Sequence, residues 1–361
     1  MKKLLPEVCE IQYGYAFDSA QFSTDQGIPL IRIRDVVRGF SETYTTEVCD
    51  QEYIVNDGDI LIGMDGEFNI ARWKGGKAYL NQRVCRLLPK DGVDAMYLYY
   101  FMPQALKAIE DKTPFVTVKH LSAKELNKIV VTVPTIEDQK KIANCLQRLD
   151  ELISLRKQQL SKLDELVKSR FIELFGDPNT NPMKWNKEPL QINATLLNGR
   201  AYKQDELLDN GKYPVLRVGN FFSNRGWYYS DLELDEDKYC DDGDLLYAWS
   251  ASFGPRIWNG GKVIYHYHIW KVLVGEKYNK QFLCHLLDYA TASFMGDTHG
   301  IGMMHLTKSG MEETEFIVPP IDLQNQFAAF VEQVDKSKLE IQKSLEKLET
   351  LKKALMQKYF G

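Results

Sequence analysis

Basic side chains cluster in three stretches of this sequence that contain no acidic residue. Residues 71–90 contain Arg72, Lys74, Lys77, Arg83, Arg86 and Lys90. Residues 256–271 contain Arg256, Lys262, His266, His268 and Lys271, and residues 216–230 contain Arg217, Asn220, Asn224 and Arg225 among aromatic residues. Cationic groups neutralise phosphates, while Arg, Asn and Gln hydrogen-bond to base edges. The stretches therefore predict a nucleic-acid-binding surface; a solvated face beside a turn is the alternative for each stretch taken alone.

Further polar residues are predicted to belong to the same surface. They are Arg32, Arg34, Asn81, Lys119, His120, Arg200, His299 and His305. The net charge of −5 gives the chain no overall attraction to nucleic acid. Binding would therefore have to come from local patches of this kind.

An internal repeat organises the chain. Asp57-Gly58-Asp59 recurs 185 residues later as Asp242-Gly243-Asp244, and Trp73-Lys-Gly-Gly-Lys77 recurs as Trp258-Asn-Gly-Gly-Lys262. Both copies keep a basic Gly-Gly-Lys turn, but Asn81, Gln82 and Arg83 correspond to His266, Tyr267 and His268. A shared frame with different polar residues is what two different binding half-sites would require. We interpret the chain as a tandem duplication of a globular part followed by a helix.

Each copy ends in a long amphipathic helix. The first seam consists of Ile142, Leu146, Leu149, Ile153, Leu160, Leu163, Val167 and Leu174, with Arg156 and Arg170 at the two missing steps. The second consists of Phe327, Val331, Val334, Ile341, Leu345, Leu348, Leu355 and Tyr359, with Lys338 and Lys352 in the gaps. This spacing is of the coiled-coil type. A helix of about 38 residues is roughly 57 Å long and needs a partner for its seam. Two unrelated amphipathic helices on separate cores are the alternative.

These elements predict an α+β fold of four segments. They are residues 1–134 (globular), 135–176 (helix), 177–319 (linker and second globular part) and 320–361 (helix). Short strands are expected at 29–35, 60–64, 78–88 and 129–133, and helices at 96–109 and 278–294. We expect the copies to be related by a pseudo-twofold axis, so that the two long helices form an antiparallel coiled coil. Thr135 is the predicted N-cap of the first helix, and Gly176 its C-cap.

Common catalytic motifs are absent from the sequence. G-x-x-x-x-G-K-[ST], H-E-x-x-H and G-x-S-x-G do not occur. His266 and His268 could hold a metal ion, but the first copy has Asn81 and Arg83 there, and Arg is not a metal ligand. A tandem hydrolase would have to use shared residues: Asp57 and Asp242, Asp59 and Asp244, or His120 and His305. We predict a chain that is not an enzyme and holds no cofactor or metal; a hydrolase or a protein–protein scaffold is the alternative.

The cellular location is predicted from cysteine usage and hydropathy. The six scattered cysteines suit free thiols in a reducing compartment. Pro6 and Glu7 interrupt any signal-peptide core, and no apolar run is long enough to span a membrane. We therefore expect a cytoplasmic protein.

The order of elements resembles the DNA-specificity subunits of type I restriction-modification systems. The resemblance rests on Val-Pro-x-Ile-x-x-Gln at residues 133–139 and 318–324 and on the linker Glu-Leu-Phe-Gly-Asp-Pro-Asn-Thr-Asn-Pro at residues 173–182. The linker is the most specific piece. Asp138 and Leu323 stand where the family commonly has Glu. The resemblance covers essentially the whole chain.

This resemblance implies a function for each part. Each globular part would be a target-recognition domain for one half of a bipartite double-stranded DNA site, and the coiled coil would set the unread spacer. The subunit would direct adenine methylation, and cleavage, by partner subunits in a bacterial or archaeal cytoplasm. Its partners would be two methyltransferase subunits, which are expected to use S-adenosylmethionine, and optionally two restriction/translocase subunits.

Overall fold

The computed structural model describes residues 1–112, 119–223, 226–250, 252–296 and 307–361. It divides into two units: unit 1 is Met1–Lys157 with Lys343–Gly361, and unit 2 is Gln158–Gln342. The central helix, Ile136–Phe175, and the C-terminal helix, Ile321–Phe360, each contribute to both units. Every unit therefore combines a globular part with segments of both long helices. Within the described residues, no helix has the length and apolar character needed to cross a membrane.

The described residues of unit 1 form three sheets. Lys2–Leu4 pairs antiparallel with Val130–Thr132. An antiparallel sheet has the strand order Cys9–Tyr13, Val84–Pro89, Ile60–Gly63, Ile70–Arg72. A mixed sheet has the order Phe22–Ser23, Tyr44–Thr45, Ile28–Ile31, Ala78–Leu80, Ile54–Val55. The helices of the globular part are Leu5–Val8, Ile33–Arg38, Ala95–Lys112 and Ala123–Leu126.

Unit 2 repeats this topology in its described residues. Lys187–Pro189 pairs antiparallel with Glu315–Ile317. The antiparallel sheet has the order Ala194–Asn198, Ile269–Val274, Leu245–Ser250, Ser252–Ile257. The mixed sheet has the order Tyr228–Ser230, Tyr213–Leu216, Val263–Tyr265, Tyr239–Cys240. The helices are Leu190–Asn193, Val218–Phe222, Lys280–Gly296 and Lys308–Glu313.

Two of the expected strands are wrong in extent. The run predicted at 29–35 ends as a strand at Ile31, because the backbone N–H of Arg32 donates to the Asp35 carboxylate at 2.9 Å and the helix Ile33–Arg38 begins there. The run predicted at 78–88 is two strands in different sheets, Ala78–Leu80 and Val84–Pro89. A turn at Asn81 separates them: its side chain accepts from Gln82 N at 2.7 Å and its carbonyl from Val84 N at 2.9 Å.

The two long helices pack antiparallel in unit 1. Asp150 pairs with Lys352 at 2.5 Å, and Lys157 pairs with Glu349 at 3.0 Å, so residue numbers rise on one helix as they fall on the other. Leu146 and Leu149 are buried against Tyr100, with Leu348 and Leu355 packed beside them. Arg156, at a missing step of the seam, donates to Ser344 Oγ at 3.3 Å.

Unit 2 shows the same antiparallel packing. Asp164 pairs with Lys338 at 2.5 Å, and the rings of Phe171 and Phe327 lie 5.4 Å apart. The seam residues buried in the two units are Leu146, Leu149, Val167, Phe327, Val331, Val334 and Leu345. The half-buried ones are Ile142, Ile153, Leu160, Leu163, Ile341, Leu348 and Leu355. Apolar seams covered by a second helix stabilise both long helices.

Each long helix ends inside the globular part of a unit. Phe360 contacts Tyr97 and Phe101 in unit 1, and Phe175 contacts Phe282 in unit 2. Gly176 follows with φ of 74°, and a Cβ there would lie 2.7 Å from Pro182 Cγ. Only glycine meets both conditions without strain, so Gly176 ends the central helix as its C-cap. Thr135 is its N-cap, because Asp138 N donates to Thr135 Oγ1 at 3.2 Å.

A buried glutamine ties the start of each long helix to its globular part. Gln139 donates to the carbonyls of Gly92 and Pro134 and accepts from Asp94 N, at 2.9–3.1 Å. Gln324, the copy of Gln139, donates to the carbonyls of Lys277 and Pro319 and accepts from Asn279 N, at 2.8–3.0 Å. Both side chains are fully buried. The repeated Val-Pro-x-Ile-x-x-Gln motif therefore connects each globular part to its long helix.

We expect Gln324→Ala to lower the free energy of unfolding by about 2 kcal/mol or more, because it leaves two carbonyls and one N–H buried without partners. Urea denaturation of the purified chain measures this. Gln333→Ala, at an exposed position of the same helix, is the matched control and should change little. Equal denaturation midpoints for Gln324→Ala and the parent would contradict this role.

Candidate nucleic-acid interface

Two parallel strands bring predicted site residues together in each unit. In unit 1, Ile28–Ile31 runs parallel to Ala78–Leu80, so Arg32 and Asn81 leave the sheet at the same edge. In unit 2, Tyr213–Leu216 runs parallel to Val263–Tyr265, and Arg217 and His266 leave at the corresponding edge. We call the residues that follow these strands, with the side chains that contact them, the carboxyl-end surface of each unit.

The carboxyl-end surface of unit 1 consists of polar side chains on three loops. Asn81 bridges to Tyr15, and Gln82 N donates to the Tyr15 carbonyl at 2.9 Å. Asp65 Oδ1 lies 2.5 Å from His120 Nδ1, and Asp65 Oδ2 lies 3.6 Å from an Arg83 guanidinium nitrogen. About half of the Arg83 and His120 side chains is exposed, against 20% of Asp65. The Arg83 guanidinium and the His120 imidazole thus face solvent, and the less exposed Asp65 carboxylate contacts both of them.

The carboxyl-end surface of unit 2 consists of aromatic and imidazole rings. The centroid of the His268 ring lies 4.7 Å from that of His266, 3.9 Å from Tyr267 and 5.0 Å from Trp249. The Trp249 indole is fixed by donating to the Tyr267 carbonyl at 2.9 Å. Burial, with His268 and Arg217 nearby, lowers the pKa of His266 to about 4, and burial also lowers the pKa of His268. Both rings are therefore neutral at pH 7, and each carries one donor and one acceptor.

The predicted basic stretch 71–90 does not form one continuous surface. Lys74 and Lys77 precede Ala78–Leu80, so they lie at its amino end, and at about 3.3 Å per residue about 10 Å separates that end from Asn81. Lys90 donates to the Pro6 carbonyl at 2.6 Å, beyond the far end of Val84–Pro89. Strand alternation and the turn at Asn81 distribute these cations over different faces.

Arg86 is a structural residue, which corrects its place in that basic stretch. Its guanidinium is buried and donates to the Ile54 and Glu52 carbonyls at 2.8 Å and to Asp59 at 2.9 Å. In unit 2 the corresponding Lys271 pairs with Asp244 at 2.7 Å. Asp59 and Asp244 thus each neutralise a cation between strands.

The repeated Gly-Gly-Lys turn is also explained by folding. The Trp73 indole donates to the Gly76 carbonyl at 2.6 Å, and Gly76 N donates to Asp57 at 2.7 Å. The copy repeats both bonds between Trp258, Gly261 and Asp242, at 2.7 and 2.8 Å. The sequence could not separate this structural cause from a phosphate contact.

Several predicted site residues already have partners within the protein. Arg200 forms a bidentate pair with Glu206 at 2.7 and 2.9 Å, which lowers the pKa of Glu206 to about 2. Arg256 donates to the Phe221 carbonyl at 2.7 Å, and Lys119 donates to the Glu110 carbonyl at 2.9 Å.

Other predicted site residues carry weaker contacts. Arg217 lies over the Tyr228 ring and Lys262 over the Tyr239 ring, at 5.1 and 4.6 Å, while Arg34 is 3.7 Å from Asp35. Asn220 donates to the Gly226 carbonyl at 3.1 Å. The exposed residues are Arg32, Arg34, Arg72, Lys74, Lys77, Arg83, His120, Arg217, Arg256 and Lys262. Arg225, His299 and His305 lie outside the described residues.

Sequence reasoning missed three residues of these surfaces: Tyr15, Asp65 and Trp249. Tyr15 is the variable centre of Gly14-Tyr-Ala16, which recurs as Gly199-Arg-Ala201, so divergence inside a repeated motif could have indicated it. Asp65 and Trp249 lie in segments where the copies diverge throughout, and no pattern marks them. His266 and His268 do adjoin, but in the described part of the chain no cluster of three or more His, Cys, Asp or Glu could hold a metal ion.

Comparisons with known proteins agree across both copies. The family model "Type I restriction modification DNA specificity domain" matches residues 1–165 and 185–353. The EcoBI specificity subunit of Escherichia coli is 37% identical over 166 residues, which cover 45% of this chain and 35% of that protein. The MjaVIII specificity subunit of Methanocaldococcus jannaschii is 23% identical, covering 91% of this chain and 87% of its own.

Solved structures share the fold. The crystal structure of the S subunit of a type I restriction-modification system from M. genitalium matches with a TM-score of 0.63 at 16% identity, covering 100% of this chain and 96% of that one. A chain from a study of complex assembly and conformational transition of the type I R-M system matches with a TM-score of 0.60 at 14% identity, covering 100% and 97%. Since the family model spans both repeats, the chain belongs to the type I restriction-modification DNA specificity family, and its role is in DNA sequence specificity.

Proposed function

We propose that each unit binds one half of a bipartite double-stranded DNA target through its carboxyl-end surface, and that the chain itself performs no catalysis. One observation supports this most strongly. The two units share their strand order, their buried glutamine and their Gly-Gly-Lys turn. At the same place, however, one unit presents Asn81 and Arg83 and the other presents His266 and His268. A frame that is kept while its polar side chains change suits two readers of different sequences.

The side chains of both carboxyl-end surfaces fit base reading. Arg83 can form two hydrogen bonds with guanine, and Asn81 and Gln82 can do the same with adenine. Neutral His266 and His268 offer one donor and one acceptor each, and the rings of Tyr267 and Trp249 suit contact with a thymine methyl group. Lys74 and Lys77, about 10 Å away along the strand, would neutralise phosphates that flank the groove.

The salt dependence of DNA binding tests this division of roles. Lys74→Ala with Lys77→Ala should weaken binding to all duplexes and reduce the slope of log K against log salt concentration by about 1.8, since each phosphate contact contributes about 0.9. Arg83→Gln should instead lose about 1–3 kcal/mol of discrimination at one base pair. Fluorescence-anisotropy titrations at several salt concentrations measure both. Lys90→Ala removes one such charge elsewhere and is the control. An unchanged slope in the double variant, or an equal fall per charge removed in Lys90→Ala, would remove Lys74 and Lys77 from the interface.

Partner subunits are the second part of the proposal. The chain would confer DNA sequence specificity on two adenine-methyltransferase subunits, which carry S-adenosylmethionine. In a larger assembly it would do the same for restriction/translocase subunits. Leu166 in unit 2 and Leu351 in unit 1 are corresponding residues of the repeat. Both lie on a long helix, where Leu166 is 46% exposed and Leu351 is 47% exposed. The same exposed apolar residue, present once in each unit, supports docking of two copies of one partner.

Substitution of these leucines tests the docking proposal. Leu166→Lys with Leu351→Lys should abolish co-purification with the methyltransferase while the chain keeps binding DNA, because a buried lysine without a partner opposes association. Leu152→Lys is the control: Leu152 is equally exposed, but its copy is Ser337. An intact complex from the double variant would place the docking surface elsewhere.

A further inference from the structure

Asp65 connects three segments of unit 1 that are distant in sequence. Its carboxylate contacts His120 at 2.5 Å and Arg83 at 3.6 Å. Backbone hydrogen bonds join the same segments: Met64 N donates to the Arg83 carbonyl, Gly66 N to the Lys119 carbonyl and Leu121 N to the Met64 carbonyl, at 2.7–3.0 Å. The position of the carboxylate is therefore fixed by the backbone on both sides.

A carboxylate at this place opposes DNA binding, so its presence calls for another explanation. Its charge repels phosphates, and it partly cancels the charge of Arg83, an exposed cation of the same surface. A residue kept only for affinity would not be acidic here. The ion pairs of Asp65 contribute little to folding, because both partners are about half exposed to solvent, and pairs of this kind stabilise proteins by about 1 kcal/mol at most.

The second copy indicates that the acid and the cation belong together. Ser250 occupies the position of Asp65, and His268 occupies that of Arg83. His268 is neutral at pH 7 because burial lowers its pKa, so it needs no counter-charge. The unit that lacks the cation lacks the carboxylate too.

We propose that Asp65 is a positioning residue for base reading by unit 1, acting through Arg83 and His120; this inference rests on the function proposed above. The carboxylate accepts Nδ1–H of His120, which leaves Nε2 facing outward with a defined hydrogen-bonding character. It also limits the rotamers of Arg83, so that the guanidinium meets one base edge in a fixed orientation. Asp65 thus lowers affinity for all duplexes and raises discrimination between base pairs, as repulsive elements in specific interfaces do.

Loss of the Asp65 charge should change affinity and base discrimination in opposite directions. Asp65→Asn keeps the size of the side chain and removes its charge. Affinity for a duplex of scrambled sequence should rise, while discrimination against a single base-pair change in the unit 1 half-site should fall about fivefold or more. A purely structural role would lower affinity for every duplex.

Competition binding with the chain and its methyltransferase measures these effects, using the parent's methylated motif, single base-pair variants of each half and a scrambled duplex. Glu67→Gln removes the same charge from the same loop and should leave discrimination unchanged. In an Arg83→Gln and His120→Gln background, Asp65→Asn should have no further effect on discrimination, since the groups it positions are gone.

The outcomes are distinct. Unchanged discrimination in Asp65→Asn, or a loss equal to that of Glu67→Gln, overturns the role of Asp65 while the proposed function stands. A loss confined to the unit 2 half-site overturns it as well. If the parent complex itself fails to distinguish its motif from the scrambled duplex, the proposed function fails instead.

Discussion

The apolar seams of the two long helices are the constraint on which the structure depends. An amphipathic helix in a protein gains most of its stability from packing of its apolar face, and each of these helices has 40 residues and a long seam to cover. In unit 1 the first part of the central helix is covered by the last part of the C-terminal helix, and in unit 2 the pairing is the reverse. Each unit is thus completed by a segment from the other half of the chain. Neither copy of the repeat contains everything it needs to fold as observed.

The two copies share one set of residues and differ in another. The buried glutamines, the Gly-Gly-Lys turns and the cation between the strands serve folding in both copies. The carboxyl-end surfaces differ instead: unit 1 has Asn81, Arg83 and Asp65 where unit 2 has His266, His268 and Ser250.

Much of the architecture could be predicted from the sequence because it is periodic or repeated. The helix seams, the linker glycine and the helix caps have local signatures that hold in any context. The break between Ala78–Leu80 and Val84–Pro89 had none, because Asn81 turns the chain within a run of good strand formers. Arg86 was assigned to a binding surface because nothing in the sequence records that Gln12, Glu52 and Ile54 surround it. Contacts between distant residues, such as Asp65 with His120, appear only once the chain is folded.

Independent reading by the two units is tested most directly by exchanging the globular part of unit 2 and sequencing the methylated DNA. Residues 183–318, which lie between Pro182 and Pro319, are replaced by the corresponding segment of a family member with a different target. The chimaera is expressed with the methyltransferase in a host that lacks its own system. We expect a methylated motif in which one half is new and the other is unchanged. A motif with both halves altered, or with neither altered, would contradict independent reading by the two units.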